Sequence, residues 1–159
     1  MRDARPEDAT PDGVEVSIPH AARAAELGVT EADVRAVVAA ICELEDVGAT
    51  DVSVVLADRA LVHTLNRTWL EHDYPTDVLS FSLDAEALGR GALDGEVYVD
   101  LDTAAERAPE FDTTARTEAL RYVAHGLLHL AGWDDTTDEL RAAMRSREDA
   151  VLTLAMRDE

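Results

Sequence analysis

The sequence predicts an α+β protein in which one small mixed sheet of four strands packs against about five helices. Its 159 residues, 47% of them hydrophobic, suffice for one domain with a buried core. Apolar residues alternate in four short segments, as in strands, and recur at spacings of three and four in five longer segments, as in helices. No repeat or long linker divides the chain. We therefore expect a flexible acidic and polar tail over residues 1–12 and a single domain over residues 13–159.

The first half of the chain alternates predicted strands with predicted helices. Segments 13–18, 52–56 and 78–83 carry alternating apolar residues, most of them β-branched, which favours strands. Thr30 and Asp58 are typical N-cap residues, and each precedes an apolar face with helical spacing. These faces contain Val34, Val37, Val38, Ile41 and Leu44 in the first helix, and Leu61, Leu65 and Trp69 in the second.

The second half is predicted to supply the last strand and three more helices. The strand covers residues 97–101 and follows a glycine-containing loop. Helices are expected to begin at Asp102, Asp112 and Thr137, and the long middle helix ends at Gly132. The loop before the strand contains Gly89, Gly91 and Gly95. The buried face of the last helix is expected to contain Leu140, Met144, Val151 and Leu154.

The excess of acidic over basic residues narrows the classes of molecule that the protein can bind. The chain has 34 acidic and 14 basic residues, a formal charge of −20, and every basic residue is arginine. This excludes a generic nucleic-acid binder held by a basic surface and a polybasic membrane-surface protein. We interpret the acidity as halophile-like, an adaptation to a cytoplasm of molar salt in which charge repulsion is screened. The alternative, a calcium buffer, lacks the required D-x-[DN]-x-[DN]-G loop.

Cysteine usage and hydropathy predict a cytoplasmic protein. Cys42 is the only cysteine, so no disulfide can form within the chain. No apolar run approaches the roughly 20 residues that a membrane span needs. The first residues, through Pro11, lack the apolar segment of a secretory signal.

Residues 125–135 carry the strongest chemical signal. His125 and His129 lie four residues apart on a predicted helix, so their side chains share one face, with Cα atoms roughly 6 Å apart. This spacing is typical of zinc sites on helices. Gly132 allows a left-handed exit that brings Asp134 or Asp135 back toward the same ion. Three such ligands leave the fourth position of a zinc ion open to water, as in catalytic sites.

Two other interpretations fit histidines at this spacing. They can be packed side chains that form hydrogen bonds within the core. They can also belong to a metalloprotease, whose H-E-x-x-H helix carries a glutamate as general base. Gly126 occupies the position of that glutamate, so peptide hydrolysis by this mechanism has no base. A metal site without protease activity is therefore favoured.

Residues 125–135 resemble the signature H-G-x-L-H-L-x-G-[YW]-D-H of the YbeY family, the metal-dependent endoribonucleases of bacterial ribosomal RNA maturation. Residues 65–81 resemble the family's L-N-x-x-[YW]-R-x-x-x-x-P-T-D-V-L-S-F block, with Trp69 at its aromatic position. Residues 95–99 resemble its G-D-[IV]-x-[IV] strand. The three blocks occur in the family's order within residues 50–156, and the N-terminal third adds little to the resemblance.

The resemblance implies a single-strand-specific, metal-dependent endoribonuclease that acts in small-subunit rRNA maturation and ribosome quality control. It implies single-stranded rRNA and the ribosome or its small subunit as partners, and neither DNA nor a membrane. In the family's register the ligands are His125, His129 and Asp135, with Asp135 in place of the family's third histidine. One Zn²⁺ per chain is expected, with Fe²⁺ or Mn²⁺ as alternatives for two histidines and a carboxylate. A metal-bound water would attack the substrate, and Asp134 would orient His129 or that water.

A second departure from the family concerns the substrate side. Leu70 occupies the position of an arginine that faces the substrate phosphate in the family, and leucine cannot make that contact. The candidate substrate-binding residues, by the resemblance, are Arg67, His72, Thr76, Asp77 and Ser80. The last three can instead hold the turn after Pro75. The missing arginine leaves a second function open, a non-catalytic ribosome-assembly or RNA-binding factor with a structural metal. Because a structural zinc needs four protein ligands and the sequence offers three, catalysis is favoured.

Overall fold

In the computed structural model, which describes residues 13–70 and 77–157, four strands form one mixed sheet. The strands are β1 (Val14–Ser17), β2 (Gly48–Ala57), β3 (Val78–Phe81) and β4 (Ala92–Asp100). Their order across the sheet is β1-β2-β4-β3, with β1, β2 and β4 parallel and β3 antiparallel to β4. The mixed four-stranded sheet predicted from the sequence is confirmed. The tail expected over residues 1–12 lies outside the described residues.

Six α-helices occur within the described residues, one more than the sequence predicts. They are α1 (Ala21–Leu27), α2 (Glu31–Glu45), α3 (Arg59–Leu70), α4 (Leu101–Arg107), α5 (Ala115–Leu130) and α6 (Asp138–Ala155). Helix α1 is seven residues long and fully buries only Ala24, with Leu27 partly buried against the core, so its apolar face is too short for periodicity to predict it. None of the helices in the described part of the chain has the length and apolar character that crossing a bilayer requires.

Two of the predicted helix starts are displaced in the structure. Asp100, not Asp102, caps α4, because its carboxylate accepts hydrogen bonds from the backbone N–H and the hydroxyl of Thr103. Thr114, not Asp112, caps α5, since Asp112 has a φ of 53° and ends the preceding 3₁₀ turn in a left-handed conformation. The predicted caps Thr30, Asp58 and Thr137 are observed, with side-chain oxygens accepting from backbone N–H groups three residues later.

Helix α5 is the central helix of the protein, and it packs on what we call the inner face of the sheet. It contacts β3 and β4 together with helices α2, α4 and α6. The main core lies on this side and includes Val52, Val54, Val97 and Val99 from the sheet. The opposite, outer face carries a smaller core of Ala57, Val62 and Leu79 beneath α3. The candidate histidines therefore lie on the most completely packed helix.

Two glycines allow α5 to approach the sheet closely. A Cβ at Gly126 would lie 2.6 Å from Cγ1 of Val97, so the helix can pack at this distance only without a side chain there. Gly95, expected in a loop, lies inside β4 with a φ of 141°. A Cβ at Gly95 would meet the carbonyl oxygen of Phe81 at 2.5 Å and Cδ2 of Leu130 at 2.7 Å. The expectation for Gly95 was wrong because this glycine serves close packing rather than a turn.

The buried face of α6 is shorter than predicted. Met144 and Val151 are buried as expected, whereas Leu140 is 39% exposed. All residues from 136 to 143 are exposed, so no other described element covers the first turn of the helix. Glu148 takes part in the buried face although the sequence pattern assigned that face to apolar residues.

Candidate metal centre

Three side chains from the end of α5 and the following turn converge at one point. The Nε2 atoms of His125 and His129 lie 3.1 Å apart. Oδ2 of Asp135 lies 3.3 Å from Nε2 of His125 and 3.5 Å from Nε2 of His129. Within the described part of the chain, these three residues form the group of metal-binding side chains that could hold an ion. We refer to them as the His–His–Asp cluster.

The helix and its exit place the three side chains. His125 and His129 are one turn apart on α5, as the sequence predicts. After Ala131 the chain leaves the helix through Gly132, whose φ of 98° is left-handed. The backbone N–H of Trp133 then donates to the carbonyl of Leu128, which closes the helix end. Asp135 follows two residues later and reaches back to the histidines.

A buried carboxylate orients His125. Oε2 of Glu148, on α6, lies 2.6 Å from Nδ1 of His125, and Glu148 is only 5% exposed. Its other oxygen accepts a hydrogen bond of 3.1 Å from Arg121, which also donates to Asp149. Burial lowers the pKa of His125, but the hydrogen bond to Glu148 and the charges of Glu148 and Asp135 outweigh it, so the pKa is raised overall.

A backbone carbonyl orients His129. Its Nδ1 lies 3.0 Å from the carbonyl oxygen of Trp133, in the turn after α5. The Trp133 side chain anchors that turn, since its indole N–H donates to Glu45 on α2 at 2.9 Å and its ring contacts the guanidinium of Arg147. Asp134 does not contact His129: its carboxylate accepts from the N–H of Asp135 and the hydroxyl of Thr136, which braces the turn. Its expected role in orienting a metal-bound water stays a prediction.

The hydrogen bonds of the cluster show that it fits a small cation. A carbonyl oxygen and an ionised carboxylate can only accept, so Nδ1 of both histidines carries a hydrogen, and Nε2 of each ring presents a lone pair whenever that ring is neutral. Two nitrogen lone pairs and a carboxylate oxygen at 3.1–3.5 Å repel one another unless a metal ion or a proton lies between them. Ligands about 2.1 Å from a tetrahedral zinc are about 3.4 Å apart, close to the observed separations.

A cavity of about 240 Å³ opens beside the cluster, between α5 and α6, and we call it the cavity throughout. Its lining includes His125 and Asp135 of the cluster and several charged side chains. The charged and aromatic residues of this lining are Asp77, Arg107, Phe111, Glu118, Arg121, Tyr122, Arg141, Arg145 and Glu148. A substrate that reaches the His–His–Asp cluster from this side would therefore meet both acids and arginines.

The predicted substrate residues are distributed over both faces of the sheet. Asp77 lines the cavity, where it accepts a 3.4 Å hydrogen bond from Arg107. Ser80 follows Val78 by two residues on β3 and so faces the same side as α5. Arg67 lies on α3, which packs on the outer face, and it does not line the cavity. His72 and Thr76 lie outside the described residues, as does the side chain of Leu70.

Sequence reasoning missed Glu148, which forms a hydrogen bond with His125 although the two residues are 23 positions apart in the sequence. One signal for it was present. Met144, Glu148 and Val151 share one face of a predicted helix, and an acidic residue within an apolar face indicates a buried partner. Arg121 also lines the cavity, where Glu148 and Asp149 neutralise its charge.

Comparison with known proteins supports the resemblance seen in the sequence. A family model described as Endoribonuclease YbeY matches residues 20–155. A protein of Salinibacter ruber named Endoribonuclease YbeY is 43% identical over 152 residues, which cover 92% of this chain and 94% of that protein. A Rhodopirellula baltica protein of the same name is 42% identical over 79% of this chain and 63% of its own length. The solution structure of a Thermotoga maritima protein is similar, with a TM-score of 0.58 and 28% identity over 91% of this chain and 90% of that one.

Proposed function

The chain belongs to the YbeY family of endoribonucleases, and we propose that it is a metal-dependent endoribonuclease that hydrolyses phosphodiester bonds of single-stranded RNA. The observation that carries the proposal is the His–His–Asp cluster, in which two orienting hydrogen bonds direct both Nε2 lone pairs at one point. The family match covers the whole cluster. A closed structural zinc would need a fourth protein ligand, and the cluster contains three among the described residues.

The residues of this chain would hold and orient the ion in distinct ways. His125, His129 and Asp135 would supply two neutral imidazoles and one carboxylate, a donor set that favours Zn²⁺ and also suits Fe²⁺ or Mn²⁺. When bound, the ion supplies Lewis acidity for activating water and polarising a phosphodiester oxygen. Glu148 and the Trp133 carbonyl keep the imidazoles in the metal-binding tautomer. Because Asp135 is anionic where the family has histidine, we expect activity to shift toward higher pH.

The biological substrate follows from the family. We propose that the chain acts in the cytoplasm on single-stranded rRNA of the small ribosomal subunit, in its maturation and in ribosome quality control. The acidic surface is compatible with an RNA substrate if the local charge at the cluster is positive once a divalent ion is bound. High salt screens the remaining repulsion, so the molar-salt cytoplasm inferred from the composition stays part of this prediction.

The first experiment measures metal content by elemental analysis on protein purified in molar KCl. One transition-metal ion per chain is expected in the wild type, with the metal lost in His129→Ala and lost or weakened in Asp135→Ala. Glu139→Ala is the matched control, because it removes an exposed carboxylate at the start of α6 that makes no hydrogen bond or ion pair with any described residue. The same proteins are assayed on single-stranded RNA, and cleavage is expected to follow metal content. Full RNase activity in metal-free His129→Ala would contradict the proposal, and metal without cleavage in the wild type would favour the assembly-factor function.

A further inference from the structure

One arginine at the cavity has no acidic partner among the described residues, which is unusual in a chain with 34 acidic residues. Among the arginines of residues 13–70 and 77–157, only Arg145 and Arg157 make no hydrogen bond or ion pair within that described part. Arg145 lines the cavity, whereas Arg157 does not. A guanidinium without a carboxylate is available to bind a phosphate. The other cavity arginines are paired: Arg107 with Asp77, Arg121 with Glu148 and Asp149, and Arg141 with Asp138.

Two buried polar side chains line the same cavity. Glu118 is 4% exposed and Tyr122 is 5% exposed, and they lie one turn apart on α5, before His125. The Tyr122 hydroxyl lies near the Glu118 carboxylate but makes no hydrogen bond of good geometry with any described residue. Burial and the negative charge of Glu118 raise the pKa of Tyr122, so its hydroxyl stays protonated at neutral pH. Glu118 makes no ion pair with any described residue. A buried carboxylate and an unpaired hydroxyl are costly unless a ligand completes their hydrogen bonds.

An aromatic ring stands beside these groups. Phe111 lines the cavity and is 50% exposed, although it belongs to the most hydrophobic class of side chains. It lies in the 3₁₀ turn Ala108–Phe111 that precedes α5. Exposed aromatic rings near arginines are the usual platform on which unpaired bases of single-stranded RNA stack. The cavity therefore combines a stacking surface, buried hydrogen-bonding groups and an unpaired cation.

We propose that the cavity binds the nucleotide next to the phosphodiester that is cleaved, with its base stacked on Phe111 and directed toward Glu118 and Tyr122, and its phosphate on Arg145. This inference rests on the proposed function, since it takes the His–His–Asp cluster as the site of cleavage. His125 and Asp135 line the same cavity, so the nucleotide would be adjacent to the reacting bond. The cavity volume of about 240 Å³ equals that of about eight waters at about 30 Å³ each, enough for a base.

The chemistry of the buried groups selects guanine. A carboxylate accepts two adjacent N–H groups, and guanine presents N1–H and the N2 amine side by side on its Watson–Crick edge. Its O6 is an acceptor for the Tyr122 hydroxyl. Uracil has one N–H between two carbonyl oxygens, which a carboxylate repels. The subsite therefore prefers guanine, and uracil binds least well.

Binding of mononucleotides tests the subsite without depending on cleavage. Isothermal titration of the metal-containing protein with GMP, IMP and UMP is expected to show GMP binding about tenfold more tightly than IMP, which lacks the N2 amine and so one hydrogen bond to a charged group. Glu118→Gln is expected to abolish this preference, and Tyr122→Phe to reduce it. Equal affinities for GMP, IMP and UMP in the wild type would overturn the base assignment. Because Tyr122→Phe removes only a hydroxyl, it remains informative if Glu118→Gln does not fold.

The phosphate contact has its own test and control. Arg145→Ala is expected to weaken all nucleotides equally and to reduce the salt dependence of RNA binding by about one unit of log K per log salt. Arg157→Ala removes the same charge outside the cavity, so it should leave the nucleotide affinities and the salt dependence of RNA binding unchanged. Equal binding by the two variants would overturn the role of Arg145. Nucleotide binding without cleavage of any RNA would instead refute the proposed function while leaving the subsite intact.

Discussion

The two histidines of the His–His–Asp cluster are held by different kinds of structure. His125 is oriented by Glu148, a buried carboxylate on another helix, which is itself held by Arg121. His129 is oriented by the backbone carbonyl of Trp133, four residues along the chain. The orientation of His125 thus depends on the packing of α6 against α5, whereas the orientation of His129 depends on the local geometry of the turn after α5.

This difference predicts how substitutions disrupt each of the two regions, the contact between α5 and α6 and the turn after α5. A buried ion pair is costly to break, because the remaining partner keeps a charge that burial has removed from water. The turn after α5 is disrupted by backbone strain when Gly132 is replaced, because its hydrogen bonds need a left-handed conformation at this position. Substitutions in the two regions should therefore affect metal binding and folding stability in different proportions.

The largest effect is expected from Glu148→Gln. Loss of the carboxylate frees the His125 tautomer and leaves Arg121 with one partner, so metal affinity should fall about 10–100-fold. Titration with a fluorescent zinc chelator measures this change. Asp149→Asn is the control, because Asp149 also pairs with Arg121 but is exposed and does not contact His125. Similar metal affinities in the two variants would show that Glu148 acts only through Arg121.

The turn is tested by Gly132→Ala. A φ of 98° is unfavourable for alanine and should cost about 1–3 kcal/mol of unfolding free energy, while shifting both the Trp133 carbonyl and Asp135. Gly28→Ala is the control, since Gly28 also has a positive φ, of 77°, but lies after α1, away from the cluster. Urea denaturation should show both variants destabilised, and only Gly132→Ala should lose metal affinity. Metal loss in both would mean that global destabilisation, not the turn, controls binding.

Gly126→Ala tests the packing that both regions share. The added Cβ would overlap Cγ1 of Val97, which should cost about 1–3 kcal/mol, offset by about 1 kcal/mol from higher helix propensity. Gly89→Ala has open space around it and should be neutral. Combining Gly126→Ala with Val97→Ala should recover part of the loss attributed to the overlap. Urea denaturation measures the change in unfolding free energy of each variant. If the changes in the two single variants add fully in the double variant, this contact is not the cause of the loss.

The smallest effect is a change of stability with pH. Because the folded pKa of His125 is raised above its ordinary value of 6.5, this group stabilises the metal-free protein below pH 6.5, and that stabilisation is lost as pH rises through the folded pKa. Metal binds the unprotonated ring, so the metal-loaded protein shows the opposite trend. Thermal unfolding between pH 5 and 8 measures both. In Glu148→Gln the pKa of His125 should fall, so the pH dependence of stability should move to lower pH in both the metal-free and the metal-loaded protein. An unchanged pH dependence would show that Glu148 does not raise the pKa of His125.

Much of the local structure could be predicted because its causes are local. Four strands followed from the alternation of apolar residues, and the caps Thr30, Asp58 and Thr137 followed from residue type. Alternation does not show where a strand ends, so β2 and β4 begin several residues before the predicted segments. Helix α1 was not predicted, because a seven-residue helix that packs only Ala24 and Leu27 on the core is too short for a periodic signal.

The sequence by itself determined the sheet-and-helix composition, the two histidines one turn apart, and a glycine exit that returns either Asp134 or Asp135 toward them; the choice of Asp135 came from the resemblance to the family. These depend on spacing along one helix and its end, which the order of residues contains directly. Only the tertiary structure decided that Glu148 orients His125 and that Asp134 does not contact His129. It also decided that Arg145, among the cavity arginines, lacks an acidic partner within the described chain. These depend on which side chains of α5 and α6 meet, and a partner 23 residues away is chosen by helix packing rather than by sequence spacing.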